Sequence, residues 1–170
     1  RNMKHKNIAA ELLRKLLDDN IKVFQRSNVV KSELFSKKLK DVMKKYNNRM
    51  ITSVEVIEEL LNLSKDIVTA VKEGEEKGLT TEEYAFYEAL VADPKVLEEM
   101  QDATLIAMAH ELTEMIRKNR TIDWDKKESA RASMRRMVKR LLRKYKYPPD
   151  KADGAVGIVI KQAELMSAGM

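Results

Sequence analysis

The sequence contains no cysteine, which excludes disulfides, thiol redox chemistry and thiolate zinc sites. Imidazole comes only from His5 and His110, and a lone ring beside Glu111 and Glu114 makes a poor transition-metal site; His110 reads as an ordinary helix residue. Five glycines, three prolines and 5% aromatics leave too few turn formers and strand formers for a β-protein. No apolar run approaches the roughly 18 residues a bilayer span requires. The N-terminus lacks the charged-then-apolar layout of a signal peptide, so no membrane partner is expected.

Catalytic signatures are missing as well. No two glycines have the spacing of a Gly-x4-Gly-Lys-Ser/Thr loop, whose amides cradle phosphates. No Gly-x-Ser-x-Gly elbow occurs, and Pro149-Asp150 is not followed by the Glu-x-Lys of a magnesium-dependent nuclease. We identify no catalytic residue, no metal ligand and no cofactor site in the chain. Arg1 stands where an initiator methionine would, already inside a helical pattern, so a piece of a longer protein is expected.

What is present is helical. Leu, Lys, Glu and ten Met dominate, 35% of the 170 residues are charged, and the length suits one domain with a sizeable core. We therefore expect an all-α fold over 1–170: an irregular bundle of six to eight helices with no substantial sheet. The net charge of +6 hides segregation. Residues 1–50 hold 14 basic and 5 acidic side chains, 51–125 hold 7 and 18, and 126–146 hold 10 and 1. Such blocks either pair with one another or project a directional field.

Apolar residues at three-and-four spacing predict a helix over 7–19, with Ile8, Leu12, Leu13, Leu16 and Leu17 on its core face. A second follows through Leu34, Leu39 and Met43 and stops at Asn47-Asn48, which tolerate the left-handed conformation. Thr52 to Glu55 spells a capping box; the helix behind it carries Val54, Ile57, Leu60, Leu61, Ile67, Val68 and Val71 and ends at Gly74 or Gly78. Thr80 to Glu83 opens another helix, Asp93-Pro94 caps the next, and a break is expected near Gln101. Asp125 to Glu128 reads as a third box, and Pro148-Pro149 ends its helix. Asp150 then caps a last helix, although Gly154 and Gly157 leave "GAVGIVI" readable as a short buried strand.

The helix of residues 126–146 is the strongest candidate site. On a helical wheel Arg131, Arg135, Lys139 and Arg143 fall in one stripe, with Arg136, Arg140 and Lys144 beside it. Three readings stay open: internal pairing with the acidic block or solvation, contact with a protein partner, or bridging of duplex phosphates. No aromatic is interleaved, which argues against single-strand stacking. Trp124, the sole tryptophan, reads as a staple holding the helix entry against the core, the other reading being an interface anchor.

Taken in order, "NIAAELLRKLL", "YNNR", "EVIEELLNLSKD", "GLTTEEYAFYEAL", "TIDW", "RASMRRMVKRLLRKYKYPPDKA" and "QAE" resemble the C-terminal helical region of the R subunit of type I restriction enzymes. The likeness runs nearly end to end and is most specific at 82–90 and 122–149; "DGAVGIVI" is richer in glycine than that family's last helix. The resemblance implies a parent ATP- and Mg-dependent DNA translocase and endonuclease whose nuclease and motor domains lie upstream, in the cytoplasm of a bacterium or archaeon. It further implies that this region is non-catalytic and docks the motor onto the modification (methyltransferase) subunit. Double-stranded DNA is the second partner class.

Overall fold

Leucine, methionine and glutamate at helical spacing fold as helices throughout. The computed structural model describes residues 2–120 and 124–168, and among them are eight α-helices and no strand. They are α1 (Asn2–Ser27), α2 (Val29–Asn47), α3 (Ser53–Glu76), α4 (Thr81–Leu90), α5 (Lys95–Glu99), α6 (Asp102–Asn119), α7 (Glu128–Lys144) and α8 (Pro149–Ala168), with a single 3-10 turn at Trp124–Lys126 before α7. The all-α expectation holds. "GAVGIVI" is helical: Ala155, Val156, Val159, Ile160 and Ala163 go inward at three-and-four spacing.

Where the sequence reading sets one domain over 1–170, the chain divides into two compact units. Unit 1 comprises residues 1–25 and 31–73, and unit 2 comprises 26–30 and 74–170. Unit 1 is a three-helix arrangement whose core joins Ala10, Leu17 and Ile21 of α1 to Phe35, Leu39 and Met43 of α2 and Val56, Leu60, Leu63, Ile67 and Ala70 of α3. In unit 2, α4 packs on α6 and α8, while α7 lies across α8 and α6. Phe86, Leu90, Leu105, Met108, Leu112, Ile116, Trp124, Met134, Val138 and Leu142 fill its centre.

Two predicted capping boxes form. Thr52 accepts from the Glu55 N–H at 3.2 Å and Glu55 reaches back; Thr80 and Glu83 do the same. Asp93 accepts from the Lys95 N–H at 3.0 Å, and the break before α6 falls at Met100-Gln101 as read. The box at Asp125 does not form. Lys127 is the residue before α7 and makes no side-chain cap, because the burial of Trp124 winds Asp125 into the 3-10 turn instead. The left-handed residue after α2 is Arg49 (φ 58°) and not an asparagine, and Lys146 (φ 58°) plays the same part after α7. In both, the next amide returns five residues, Met50 to Lys45 and Tyr147 to Leu142, closing the helix end.

Candidate functional site

α7 is amphipathic, and its cations divide by direction. Met134, Val138, Leu141 and Leu142 are buried. A four-residue step advances about 40° around a helix, so Arg131, Arg135, Lys139 and Arg143 wind from the α8 flank to the outward side and do not form one straight stripe. Arg131 Nε lies 3.1 Å from Glu164 Oε1, both atoms buried and in charge contact without a well-aligned hydrogen bond. Lys139 pairs with Asp153 at 3.4 Å, and Lys144 with Glu111 at 2.7 Å. Of these three carboxylates only Glu111 belongs to the acidic block of residues 51–125; the other two come from α8.

Arg136, Arg140 and Arg143 are exposed and Arg135 is half-buried. None of the four has an ionic or hydrogen-bond partner among the described residues. The helix is thus part clamp and part open cationic face. Arg135, Arg136 and Lys139 also border a groove of about 390 Å³ with Asp153, Val156 and Gly157.

Trp124 is wholly inside unit 2. Its indole N–H donates to the Ser167 hydroxyl at 2.6 Å, which ties the turn before α7 to the last turns of α8. Residues 121–123 of the "TIDW" motif lie outside the described residues, as does the side chain of His5. His110 meets Glu83 and not the neighbouring Glu111 or Glu114. Among the described residues no three His, Asp or Glu side chains gather as metal ligands, and no helix is long and apolar enough to cross a membrane.

The second feature escaped the sequence reading. The apolar face expected on α1 is only partly covered: Leu17 is buried and Leu13 half-buried, whereas Ile8, Leu12 and Leu16 are 52%, 59% and 61% exposed. On α3, Leu60 and Ile67 go inward and Val54, Leu61, Val68 and Val71 stay out. Nine of the ten large apolar side chains left exposed among the described residues belong to unit 1; Leu97 is the tenth. The signal was in the sequence as excess width. A surface helix needs an apolar arc of about 100°, and α1 from Ile8 to Ile21 spans roughly twice that at 3.6 residues per turn.

Unit 2 carries a set of carboxylates held below their ordinary range. The Tyr87 hydroxyl, and then the Lys77 ammonium at 2.9 Å, act on Asp102. Lys144 and the Tyr145 hydroxyl act on Glu111, and the Lys95 amide and Lys151 on Asp93. At Glu83 burial pushes upward but is outweighed by the Thr80 amide, His110 and the Thr80 hydroxyl. A carboxylate lowered on folding stabilises the fold above its unfolded value, and that contribution is lost as pH falls through the folded value. We therefore expect the melting temperature of the chain to begin to fall as pH drops past the ordinary values of 4.5 and 3.8 and to go on falling below them, until the lowered folded values are passed. Asp102→Asn combined with Glu111→Gln should melt lower at neutral pH and lose less on acidification. Equal acid sensitivity in variant and parent contradicts this.

Comparison with known proteins adds a family. A model described as "Type I restriction enzyme HindI endonuclease subunit-like, C-terminal" matches residues 1–169. The chain is 42% identical over 164 residues to the type I restriction enzyme HindI endonuclease subunit of Haemophilus influenzae, covering 96% of this chain and 16% of that protein. It is 35% identical over 144 residues to a protein described as the type I restriction enzyme MjaIXP endonuclease subunit of Methanocaldococcus jannaschii, covering 84% and 14%. The chain therefore spans only a small fraction of the curated relatives it matches. No solved structure matches it.

Proposed function

The chain belongs to the family of HindI-like type I restriction endonuclease subunits, as their C-terminal part, and from that premise we propose that it is the subunit's helical assembly module. In this reading it docks an ATP-dependent DNA translocase and endonuclease onto the modification (methyltransferase) subunit in the cytoplasm. ATP, Mg and cleavage belong to the rest of the parent protein, and the chain itself is non-catalytic.

The observation that carries the reading is the uncovered apolar surface of unit 1. Leaving Leu12, Leu16, Leu61 and Val68 about half exposed or more makes an aggregation hazard of a free protein and an asset of an assembled one. Val54, Leu61 and Val68 are seven residues apart on α3, the repeat with which one helix seats a second. A helical segment of the partner subunit fits such a seam.

The test uses capture by the cognate modification complex. Leu12→Gln with Leu16→Gln, and separately Leu61→Gln with Val68→Gln, should weaken capture at least tenfold, about 1.4 kcal/mol. Melting temperatures should stay near the parent's, because exposed positions tolerate polar substitution within about 0.5 kcal/mol. Undiminished capture by both double variants removes unit 1 from the interface.

A further inference from the structure

We propose that the exposed stripe of α3 pairs with the same stripe of a second copy of the chain, the two helices running antiparallel about a two-fold axis. The pairing stands on unit 1 alone. Its consequence, that a self-paired chain is withheld from docking, rests on the docking reading above.

α3 carries two apolar stripes, and the core uses one of them. Val56, Leu60, Leu63, Ile67 and Ala70 are buried with residues of α1 and α2. Val54, Ile57, Leu61, Ser64, Val68 and Val71 recur alternately three and four residues apart, the seven-residue repeat of a helix-pairing seam. Val54, Leu61, Val68 and Val71 are about half exposed, and Ile57 and Ser64 are half-buried. At 1.5 Å per residue this second stripe runs about 25 Å.

Charge selects the occupant and the register. Glu58, Lys65 and Lys72 flank the second stripe on the side away from the core and are exposed. Glu58 and Lys65 have no ionic partner among the described residues. Exposed charges alone are solvated by default; these border an apolar stripe, and their sign reverses along it. In an antiparallel pair Val54 faces Val71 of the other copy, Ile57 faces Val68 and Leu61 faces Ser64, and the two-fold axis repeats each layer. Glu58 then stands within two residues of rise, about 3 Å, of Lys65 of the other copy, twice over. Sliding the copies by one heptad sets Glu58 against Glu58, or Lys65 against Lys65. It also carries Val71 or Val54 past the end of the opposite helix. One register satisfies both the apolar layers and the charges, and the surface that supplies them is α3 itself.

The experiment is sedimentation equilibrium of the 170-residue chain between about 1 μM and about 1 mM, where a reversible monomer–dimer equilibrium is expected. Leu61→Gln with Val68→Gln should hold the chain monomeric, whereas Leu12→Gln with Leu16→Gln on α1 should leave the dimer. Glu58→Lys and Lys65→Glu should each weaken dimerisation roughly tenfold, because two attractive pairs become two repulsive ones. The combined swap Glu58→Lys/Lys65→Glu should restore it. Lysine and glutamate have similar helix propensity, and neither change breaks an attractive pair within α3, so unchanged melts are expected. A chain monomeric up to about 1 mM, a dimer that the Leu61/Val68 variant retains, or single variants that the combined swap fails to rescue overturns the proposal. Excess modification complex should dissociate the dimer. Capture that leaves the dimer intact overturns the withholding, while an intact dimer with no capture supports self-pairing and counts against the docking reading alone.

Discussion

Trp124→Ala is expected to cost unit 2 about 3–5 kcal/mol, the range for emptying a buried large aromatic. The indole is 1% exposed within the core of Phe86, Leu112, Met134 and Leu142, and the 3-10 turn leaves it no route to solvent without unwinding the entry to α7. Truncation opens a cavity and removes the 2.6 Å hydrogen bond to Ser167 as well. Against a total stability of about 5–15 kcal/mol, the melting temperature should fall by more than about 10 °C. Trp124→Phe keeps most of the apolar area and should cost less than half as much. A loss under about 1 kcal/mol on Trp124→Ala would place the indole at the surface and contradict its role in the core.

Gly74→Ala should destabilise by about 1–3 kcal/mol, the range for overpacking, although helix propensity alone predicts a gain of about 1 kcal/mol. Gly74 sits in the last turn of α3, and a methyl group there would lie 2.9 Å from Cγ and 3.1 Å from Cβ of Tyr84. Those atoms are the near end of the side chain, so the ring cannot swing aside without moving α4. The two exposed glycines of α8 give the opposite sign in the same protein. Nothing stands within 4 Å of a Cβ at Gly154 or Gly157, and alanine at each should stabilise by about 0.5–1 kcal/mol. If Gly74→Ala behaves like the α8 pair in thermal melts, the Tyr84 side chain does not lie against Gly74.

The sequence made the local signals legible and the tertiary ones only in part. Thr52 and Thr80 could be read as caps because a capping box is closed within four residues. Asp125 spells the same pattern and fails, since Trp124 four residues before the helix start finds the core and takes the backbone with it. Arg49 and Lys146 adopt the left-handed conformation where glycine or asparagine would be cheaper; only the need to turn the chain at those points explains it. Gly154 and Gly157 suggested a strand because the eye counts glycines before asking which side of a helix they occupy.

The candidate sites show the same divide. Arg131 to Arg143 were legible as a cationic helix, yet which of them face Glu164 and Asp153 depended on how α8 lies beneath, which spacing within α7 cannot supply. The apolar surface of unit 1 was legible only as surplus. Ile8, Leu12 and Leu16 satisfy helical periodicity as well as Leu17 does, and periodicity records that a residue avoids water without recording which neighbour covers it.

Competition measures the central claim most directly. The isolated 170-residue chain, titrated into the modification complex together with the full-length endonuclease subunit, should displace that subunit and suppress ATP-dependent cleavage while cleaving nothing itself. The Leu12→Gln/Leu16→Gln variant should need at least ten times the concentration, about 1.4 kcal/mol of lost affinity. Undisturbed assembly at saturating chain, or competition that the variant reproduces at the same concentration, would contradict an assembly module that docks through unit 1.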